Sequence, residues 1–192
     1  SEWSVNEKVA MDAAAGAAYS GRRSMVTTKQ VGMNVLSDSL FYTAYTGAEA
    51  ALVVITADDP GLFSSQNEQD NRLYAPHAKI AMLEPSDSAE CRDYAKAAFD
   101  ISERFDTLVM LRMTTRVCHS KSLVALEERK NVPVKKYVRD PKKNAMLPAH
   151  SRVRHIYREE MLKKLEEYSN DCPFNRVEDN GSRIGIITSG IA

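Results

Sequence analysis

The sequence is poor in cysteine, carries no net charge and contains no long hydrophobic run. Its three cysteines, Cys91, Cys118 and Cys172, lie far apart, so they predict neither a disulfide framework nor a metal-binding knuckle. Reduced thiols in a cytoplasmic protein are the expectation. The 26 basic and 26 acidic side chains cancel, which gives no electrostatic signal for nucleic acid or for an anionic membrane surface. No apolar stretch approaches the about 20 residues that a membrane-spanning helix needs, so we expect no membrane association.

The rest of the composition is typical of a globular domain, with 43% hydrophobic and 27% charged side chains among 192 residues. That length allows one full domain and part of a second. The chain starts almost directly in a helical pattern and ends in a strand pattern that runs into a glycine turn. Because a strand needs neighbours, we expect a fragment of a longer polypeptide.

Strand patterns alternate with helical patterns over residues 1–122. The continuous apolar run at 50–56 is typical of a parallel strand buried on both faces. The other predicted elements are strands at 23–28, 80–83 and 107–114, and helices at 7–20, 35–44, 72–78 and 88–105. This alternation predicts an α/β fold with a parallel sheet. In such sheets ligands bind outside the carboxyl ends of the strands.

The texture changes after this first domain. Residues 123–149 are charged and contain prolines, which indicates a linker. Residues 150–192 then predict an amphipathic helix and, from Ile184, the first strand of a second, truncated α/β domain. The apolar face of that helix is predicted from spacing to comprise Val153, Ile156, Tyr157, Met161 and Leu165.

Glu7 is the candidate acid–base residue. It stands at the start of an alanine-rich helix that Asn6 can cap, and Gly16 comes nine residues later. A carboxyl buried there could hold a proton and share it with a ring nitrogen of a ligand. The alternative is a first-turn glutamate that only complements the helix dipole.

Other polar residues come after the predicted strands. Lys29, Arg112 and Arg116 could receive a carboxylate, or they could be solvated surface charges. The acidic residues of the loop at 57–70 could bind a hard cation, although their spacing does not match a calcium loop and a hydrogen-bonded loop is the preferred interpretation. These acidic residues are Asp58, Asp59, Glu68 and Asp70.

Six blocks in succession resemble the signatures of indolepyruvate:ferredoxin oxidoreductase alpha subunits, of the 2-oxoacid:ferredoxin oxidoreductase superfamily. They are EWSVNEKVA at 2–10, TTKQVGMN at 27–34, ADDPG at 57–61, SSQNEQD at 64–70, LEPSD at 83–87 and LRMTTR at 111–116. The segments 172–175 and 184–190 resemble the next part of the same subunit. One departure is that related sequences have Lys-His where this chain has Lys29-Gln30.

The resemblance implies a pyrimidine-binding domain for thiamine diphosphate. Glu7, with Gly16-Ala17 further along the helix, fits the family glutamate that hydrogen-bonds the aminopyrimidine ring, whereas Glu2 does not. Lys29, Gln30 and Gly32 lie in the loop that resembles the cofactor-facing one. Magnesium and [4Fe-4S] clusters are implied for parts of the parent enzyme outside this chain, which should be inactive alone.

The implied reaction converts an aryl pyruvate and coenzyme A to the aryl-acetyl thioester and carbon dioxide, and ferredoxin accepts the electrons. The implied partners are the beta subunit of the same enzyme and ferredoxin, in an oligomer. Two alternatives stay open: the pyrimidine-binding domain of another 2-oxoacid oxidoreductase, and a non-catalytic α/β module that serves assembly.

Overall fold

A computed structural model describes residues 1–191. Four parallel strands form one sheet in the order β1-β2-β4-β3, and they are β1 Ser24–Lys29, β2 Leu52–Asp58, β3 Ala81–Leu83 and β4 Val109–Thr114. The helices are α1 Glu7–Tyr19, α2 Gly32–Thr46, α3 Tyr74–Ala78, α4 Ser88–Phe105, α5 Thr115–His119, α6 Pro141–Asn144 and α7 Pro148–Asn170, with a 3-10 turn at Asn71–Leu73. The predicted α/β fold with a parallel sheet is confirmed.

The core has two layers because β2 and β4 bury both of their faces. Leu52 and Val54 of β2 pack towards α1, α2 and α3, whereas Val53 packs towards α4 and α7. Alternate side chains of a strand point to opposite faces, so a strand covered on both sides must be apolar throughout. This is the physical reason for the continuous apolar run at the centre of the sheet.

Helix α1 begins and ends where its capping residues predict. The Asn6 side chain accepts a hydrogen bond from the Val9 N–H at 3.0 Å, and Gly21 after the helix has a φ of 86°. Helix α4 begins after Asp87, whose side chain accepts from the Glu90 N–H, and ends at Asp106 in the left-handed region. Such caps satisfy backbone groups that the helix itself leaves unpaired.

Two short segments differ from the prediction. Helix α2 starts at Gly32, three residues before the predicted start at residue 35. The start is hard to predict because the preceding residue, Val31, has no side chain that could cap the helix. The segment after β4, predicted as a loop, forms α5, which Thr114 caps by accepting from the Val117 N–H.

The C-terminal third differs more. The predicted apolar face of α7 is wrong in part: Val153 and Ile156 are exposed, while Arg154, Arg158 and Met161 are buried. The helix packs on the second face of the same sheet through Met161, with Tyr157 and Leu165 beside it. Arg154 and Arg158 face inward because they donate hydrogen bonds to backbone carbonyl oxygens at the ends of α2 and α4.

The predicted strand at Ile184 is irregular in the structure, and Ile184, Ile186 and Ile187 are exposed. A single strand without a neighbour has no ladder to join, which explains the difference. Residues 123–140 of the predicted linker are irregular and largely exposed. Helix α6 and the start of α7 fall inside its predicted bounds, and the division into domains stays a prediction. No helix among residues 1–191 is long and apolar enough to cross a membrane.

Candidate active site

Glu7 lies at the carboxyl edge of the sheet, against the first turn of α2. A Cβ placed on Gly32 would come within 2.6 Å of Glu7 Cγ, 2.9 Å of Glu7 Oε1 and 2.0 Å of Thr28 Oγ1. These distances are far below a van der Waals contact, so only glycine fits at position 32 while Glu7 and Thr28 keep their places. The structure therefore brings together two residues predicted from sequence, Glu7 and Gly32.

The carboxyl group of Glu7 is available to a ligand. It is half-buried, and no hydrogen bond or ion pair to its side chain is found within residues 1–191. Its neighbours Thr28 and Gly32 are uncharged. A half-buried carboxyl without an internal partner can exchange a hydrogen bond with a bound group.

Gln30, the second residue after the predicted strand end, is fully buried. Its side-chain Nε2 donates to the carbonyl oxygen of Asn67 at 2.5 Å, and its Oε1 accepts from the backbone N–H of Asp59 at 2.5 Å. Both polar atoms of the amide are thus used to hold the loop after β2. This arrangement fixes that loop beside the start of α2.

Asn71 completes the same junction. Its side-chain nitrogen donates to the carbonyl oxygen of Gln30 at 3.1 Å and to Thr56 Oγ1 at 2.7 Å. Its backbone N–H donates to Asp58 Oδ2 at 3.0 Å. Asn71 was not predicted as a site residue from the sequence. Its position, a carboxamide side chain between a polar loop and the following helix, is the one feature of the sequence that could have indicated this role.

Asp58 and Arg112 form a buried ion pair at the ends of β2 and β4. Arg112 Nε donates to Asp58 Oδ2 at 2.9 Å, and Arg112 Nη1 also pairs with Glu84, which comes directly after β3. The guanidinium thus joins the carboxyl ends of three strands. Because Arg112 already pairs with two carboxylates, its role is to stabilise the carboxyl edge of the sheet.

Asp59 anchors the loop at 59–70. Its carboxylate accepts from the Ser64 N–H at 2.8 Å, from Thr115 Oγ1 at 2.7 Å and from the Phe63 N–H at 3.3 Å. These donors, with the Ser64 N–H first and Thr115 next, lower the pKa of Asp59 to about 2. The acidic residues of this loop are therefore engaged in hydrogen bonds, in agreement with the interpretation preferred from sequence.

The remaining candidates lie at the surface. Lys29 and Arg116 are exposed, and neither takes part in an ion pair within residues 1–191. Glu68 accepts from the Gly61 N–H, and Asp70 pairs with Arg72. Across residues 1–191 no group of three or more histidine, cysteine, aspartate or glutamate side chains could hold a metal ion, and all three cysteines are free.

Comparison with known proteins decides the family. A family model described as "Pyruvate flavodoxin/ferredoxin oxidoreductase, thiamine diP-bdg" matches residues 4–175, which is most of the chain. The chain belongs to this family. The resemblance found in the sequence to the 2-oxoacid:ferredoxin oxidoreductase superfamily is thereby confirmed.

Curated members of this thiamine diphosphate-binding family include proteins similar to the whole chain. The chain is 48% identical over 192 residues to "Indolepyruvate oxidoreductase subunit IorA" of Methanothermobacter marburgensis, covering 98% of this chain and 31% of that protein. It is 44% identical to the protein of the same name from Archaeoglobus fulgidus, covering 100% of this chain and 31% of that one. The chain thus spans 31% of the length of these relatives.

A solved structure supports the same fold. The "2-oxoglutarate:ferredoxin oxidoreductase from Magnetococcus marinus with 2-oxoglutarate, coenzyme A and succinyl-CoA bound" superimposes with a TM-score of 0.63. The match covers 86% of this chain and 36% of that one, at 14% sequence identity. At that identity the likeness establishes the fold.

Proposed function

We propose that this chain supplies the pyrimidine-binding side of a thiamine diphosphate-dependent oxidoreductase that decarboxylates aryl pyruvates, indolepyruvate in the first place. The product is the aryl-acetyl thioester of coenzyme A, and ferredoxin accepts the electrons. The observation that carries the proposal is the half-buried Glu7 carboxyl, without an internal partner in the described chain, in a family that binds thiamine diphosphate.

The residues around Glu7 fit the aminopyrimidine end of the cofactor. A ring nitrogen of the aminopyrimidine needs a carboxyl partner with which it can share a proton. Glu7 supplies the carboxyl, and the missing side chain at Gly32 lets that carboxyl lie directly on the first turn of α2. When bound, the cofactor supplies the electron-sink chemistry that protein side chains lack. In this assignment Glu7 binds the ring and holds a proton at a carboxylate oxygen.

Lys29, Gln30 and Gly32 have different parts in this proposal. Lys29 is exposed at the end of β1, where its ammonium group can reach a bound anion. Gln30 is buried with both polar atoms engaged, so it acts by positioning the neighbouring loop. Gly32 acts through the room it leaves for Glu7.

The choice of aryl pyruvates is supported by the names of the relatives that match the whole chain, which are indolepyruvate oxidoreductase subunits. Relatives named 2-oxoglutarate synthase subunit match less, for example at 26% identity over 62% of this chain for the one from Methanothermobacter thermautotrophicus. The proposed partners are the beta subunit of the enzyme and ferredoxin, in a cytoplasmic oligomer. Magnesium and [4Fe-4S] clusters belong in this proposal to other parts of the enzyme.

The test uses the full-length subunit with its partner subunit. Indolepyruvate-dependent reduction of a viologen dye is monitored with and without coenzyme A for the wild type, Glu7→Gln and Glu2→Gln. Glu2 is an exposed glutamate five residues away and serves as the matched control. We expect Glu7→Gln to lower kcat by about a hundredfold or more, as for the loss of an acid–base group, and Glu2→Gln to leave it unchanged.

The alternatives predict different results. Equal activity of the wild type and Glu7→Gln would remove Glu7 from the mechanism. A wild type that reduces the dye with 2-oxoglutarate or pyruvate and not with indolepyruvate would reassign the substrate. If the chain is an assembly module, we expect no activity of the wild type with any 2-oxoacid and no effect of Glu7→Gln.

A further inference from the structure

An aromatic side chain stands exposed on the loop after β2. Phe63 is 77% exposed, although phenylalanine is usually buried. Its ring is close to Gly61, and no ring–ring contact to it is found among residues 1–191. The neighbouring Leu62 has a φ of 59°, in the left-handed region that a leucine rarely adopts. Such conformations persist only where the surrounding structure holds them, and they are frequent at ligand-binding sites.

The loop holds Phe63 in a fixed place. Asp59 accepts hydrogen bonds at its carbonyl oxygen from the Leu62 N–H at 3.1 Å and at its carboxylate from the Phe63 and Ser64 N–H groups. The Gly61 N–H donates to Glu68 Oε2 at 3.1 Å, which closes the loop on itself. These bonds fix the backbone on both sides of the exposed ring. A ring displayed on an anchored backbone loses little conformational entropy when it meets a ligand.

The anchored loop is connected to the proposed cofactor site through Gln30 and the first turn of α2. Gln30 binds the backbone of Asp59 and of Asn67 through its side chain, and it precedes Gly32 by two residues. Gly32 in turn contacts Glu7. The Asn34 side chain, in the first turn of α2, also donates to Gln69 Oε1 at 2.9 Å. The loop therefore lies at the same carboxyl edge of the sheet as Glu7, where ligands of parallel sheets bind.

We propose that Phe63 is a specificity-determining residue that contacts the aryl side chain of the 2-oxoacid substrate. This inference rests on the proposed function. An aromatic ring offers an apolar face and an edge-to-face or offset partner for an indole or phenyl group. The carboxylates of Asp59, Glu68 and Asp70 in this loop are engaged in hydrogen bonds or an ion pair, and Phe63 is the more exposed of the two large apolar side chains of the loop, Leu62 and Phe63.

The experiment uses the full-length subunit with its partner subunit and compares Phe63→Ala, Phe63→Tyr and Leu126→Ala with the wild type. Leu126 is an exposed leucine in the charged segment after α5 and serves as the control for loss of an exposed apolar side chain. KM for indolepyruvate, KM for coenzyme A and kcat are measured by dye reduction, and subunit association is measured by gel filtration. We expect Phe63→Ala to raise KM for indolepyruvate by roughly tenfold, which is the effect expected for the loss of one aromatic pair and of the apolar surface that it buries.

In the expected result KM for coenzyme A and kcat stay near the wild-type values, Phe63→Tyr restores KM for indolepyruvate because it keeps the ring, and Leu126→Ala changes nothing. An unchanged KM for indolepyruvate in Phe63→Ala would overturn the inference and leave the proposed function intact. Loss of subunit association in Phe63→Ala would also overturn it, in favour of a subunit contact. A wild type without activity on indolepyruvate would instead overturn the proposed function, and this inference with it.

Discussion

Glu7 and Gly32 form a close pair across the gap between α1 and α2: a Cβ on Gly32 would lie 2.6 Å from Glu7 Cγ. We therefore expect Gly32→Ala to displace the Glu7 carboxyl and the Thr28 hydroxyl. In the full-length enzyme a shift of about 1 Å should lower indolepyruvate-dependent dye reduction by roughly a hundredfold. The measurement is kcat for dye reduction, together with thermal unfolding to show that the variant is folded.

The matched control for this change is Gly16→Ala in α1. A Cβ on Gly16 would meet nothing within 4 Å, so the added methyl group is free of strain. Replacing glycine by alanine inside a helix should raise the free energy of unfolding of this chain by about 0.5–1 kcal/mol. Wild-type activity of Gly32→Ala would contradict the proposed placement of Glu7.

Gln30 should matter for stability because both of its polar atoms are buried and used. Gln30→Leu removes the partner of the Asp59 N–H and of the Asn67 carbonyl oxygen, so two backbone groups stay unpaired. We expect the free energy of unfolding to fall by about 2–4 kcal/mol in urea denaturation. Gln66→Leu is the control, since Gln66 is exposed in the same loop and should change stability by less than about 0.5 kcal/mol. Equal effects of the two changes would show that the Gln30 bonds do not hold the loop.

Much of the fold is predictable because its signals are local. Asn6 and Asp87 cap their helices by accepting hydrogen bonds from residues only three positions later. The continuous apolar run of β2 likewise indicates directly that this strand is buried on both faces. The start of α2 is predicted too late because its first residue is Gly32, which has a low helix propensity, and Val31 offers no cap. The strand predicted at Ile184 depends on neighbours that residues 1–191 do not provide.

The candidate site is less predictable because its partners are distant in sequence. Glu7 is assigned through the family resemblance, whereas its contact with Gly32 comes from the packing of α1 on α2. Gln30 and Asn71 are polar residues that sequence alone assigns to the surface. Their side chains form hydrogen bonds to residues 15 to 41 positions away, which no local pattern can predict.

Asp59 should make the loop sensitive to acid. Hydrogen bonds from Ser64 and Thr115 lower its pKa from an ordinary 3.8 to about 2 in the folded chain. Because the folded state holds the charged form better than the unfolded state, Asp59 contributes stability above about pH 4, and this contribution is lost as the pH falls from 4 towards 2. We expect the difference in urea midpoint between the wild type and Asp59→Asn to be largest above pH 4 and to shrink towards pH 2. Asp12→Asn, on the exposed face of α1, is the control, and a difference for Asp59→Asn that does not change with pH would contradict the assignment.

Arg154 and Arg158 of α7 both face inward, yet their hydrogen bonds differ. Arg154 donates to the carbonyl oxygens of Tyr45 and Thr46 at the end of α2, at 2.8 and 3.1 Å, and to Asp106. Arg158 is 2% exposed; its Nη2 donates to the Asp106 carbonyl oxygen at 2.5 Å, whereas its Nε and Nη1 have no partner among residues 1–191. Burial takes the guanidinium out of water and lowers the pKa of Arg158 to about 10, although the nearby Asp106 carboxylate opposes this shift.

The two arginines should therefore respond differently to replacement by methionine, which keeps the length and removes the charge. Arg154→Met leaves the last carbonyl groups of α2 without their charged donor, so we expect the free energy of unfolding to fall by about 2–3 kcal/mol. Arg158→Met loses one backbone hydrogen bond and a 3.8 Å ion pair with Asp106, which keeps Lys143 and Arg154 as partners, and it also removes the cost of a buried charge with two unpaired donors. We therefore expect it to stay within about 1 kcal/mol of the wild type. Urea denaturation of the two variants side by side measures the difference. If Arg158→Met were as costly as Arg154→Met, the charge of Arg158 would be a net contributor to the packing of α7, and its unpaired donors would need an acceptor that residues 1–191 do not supply.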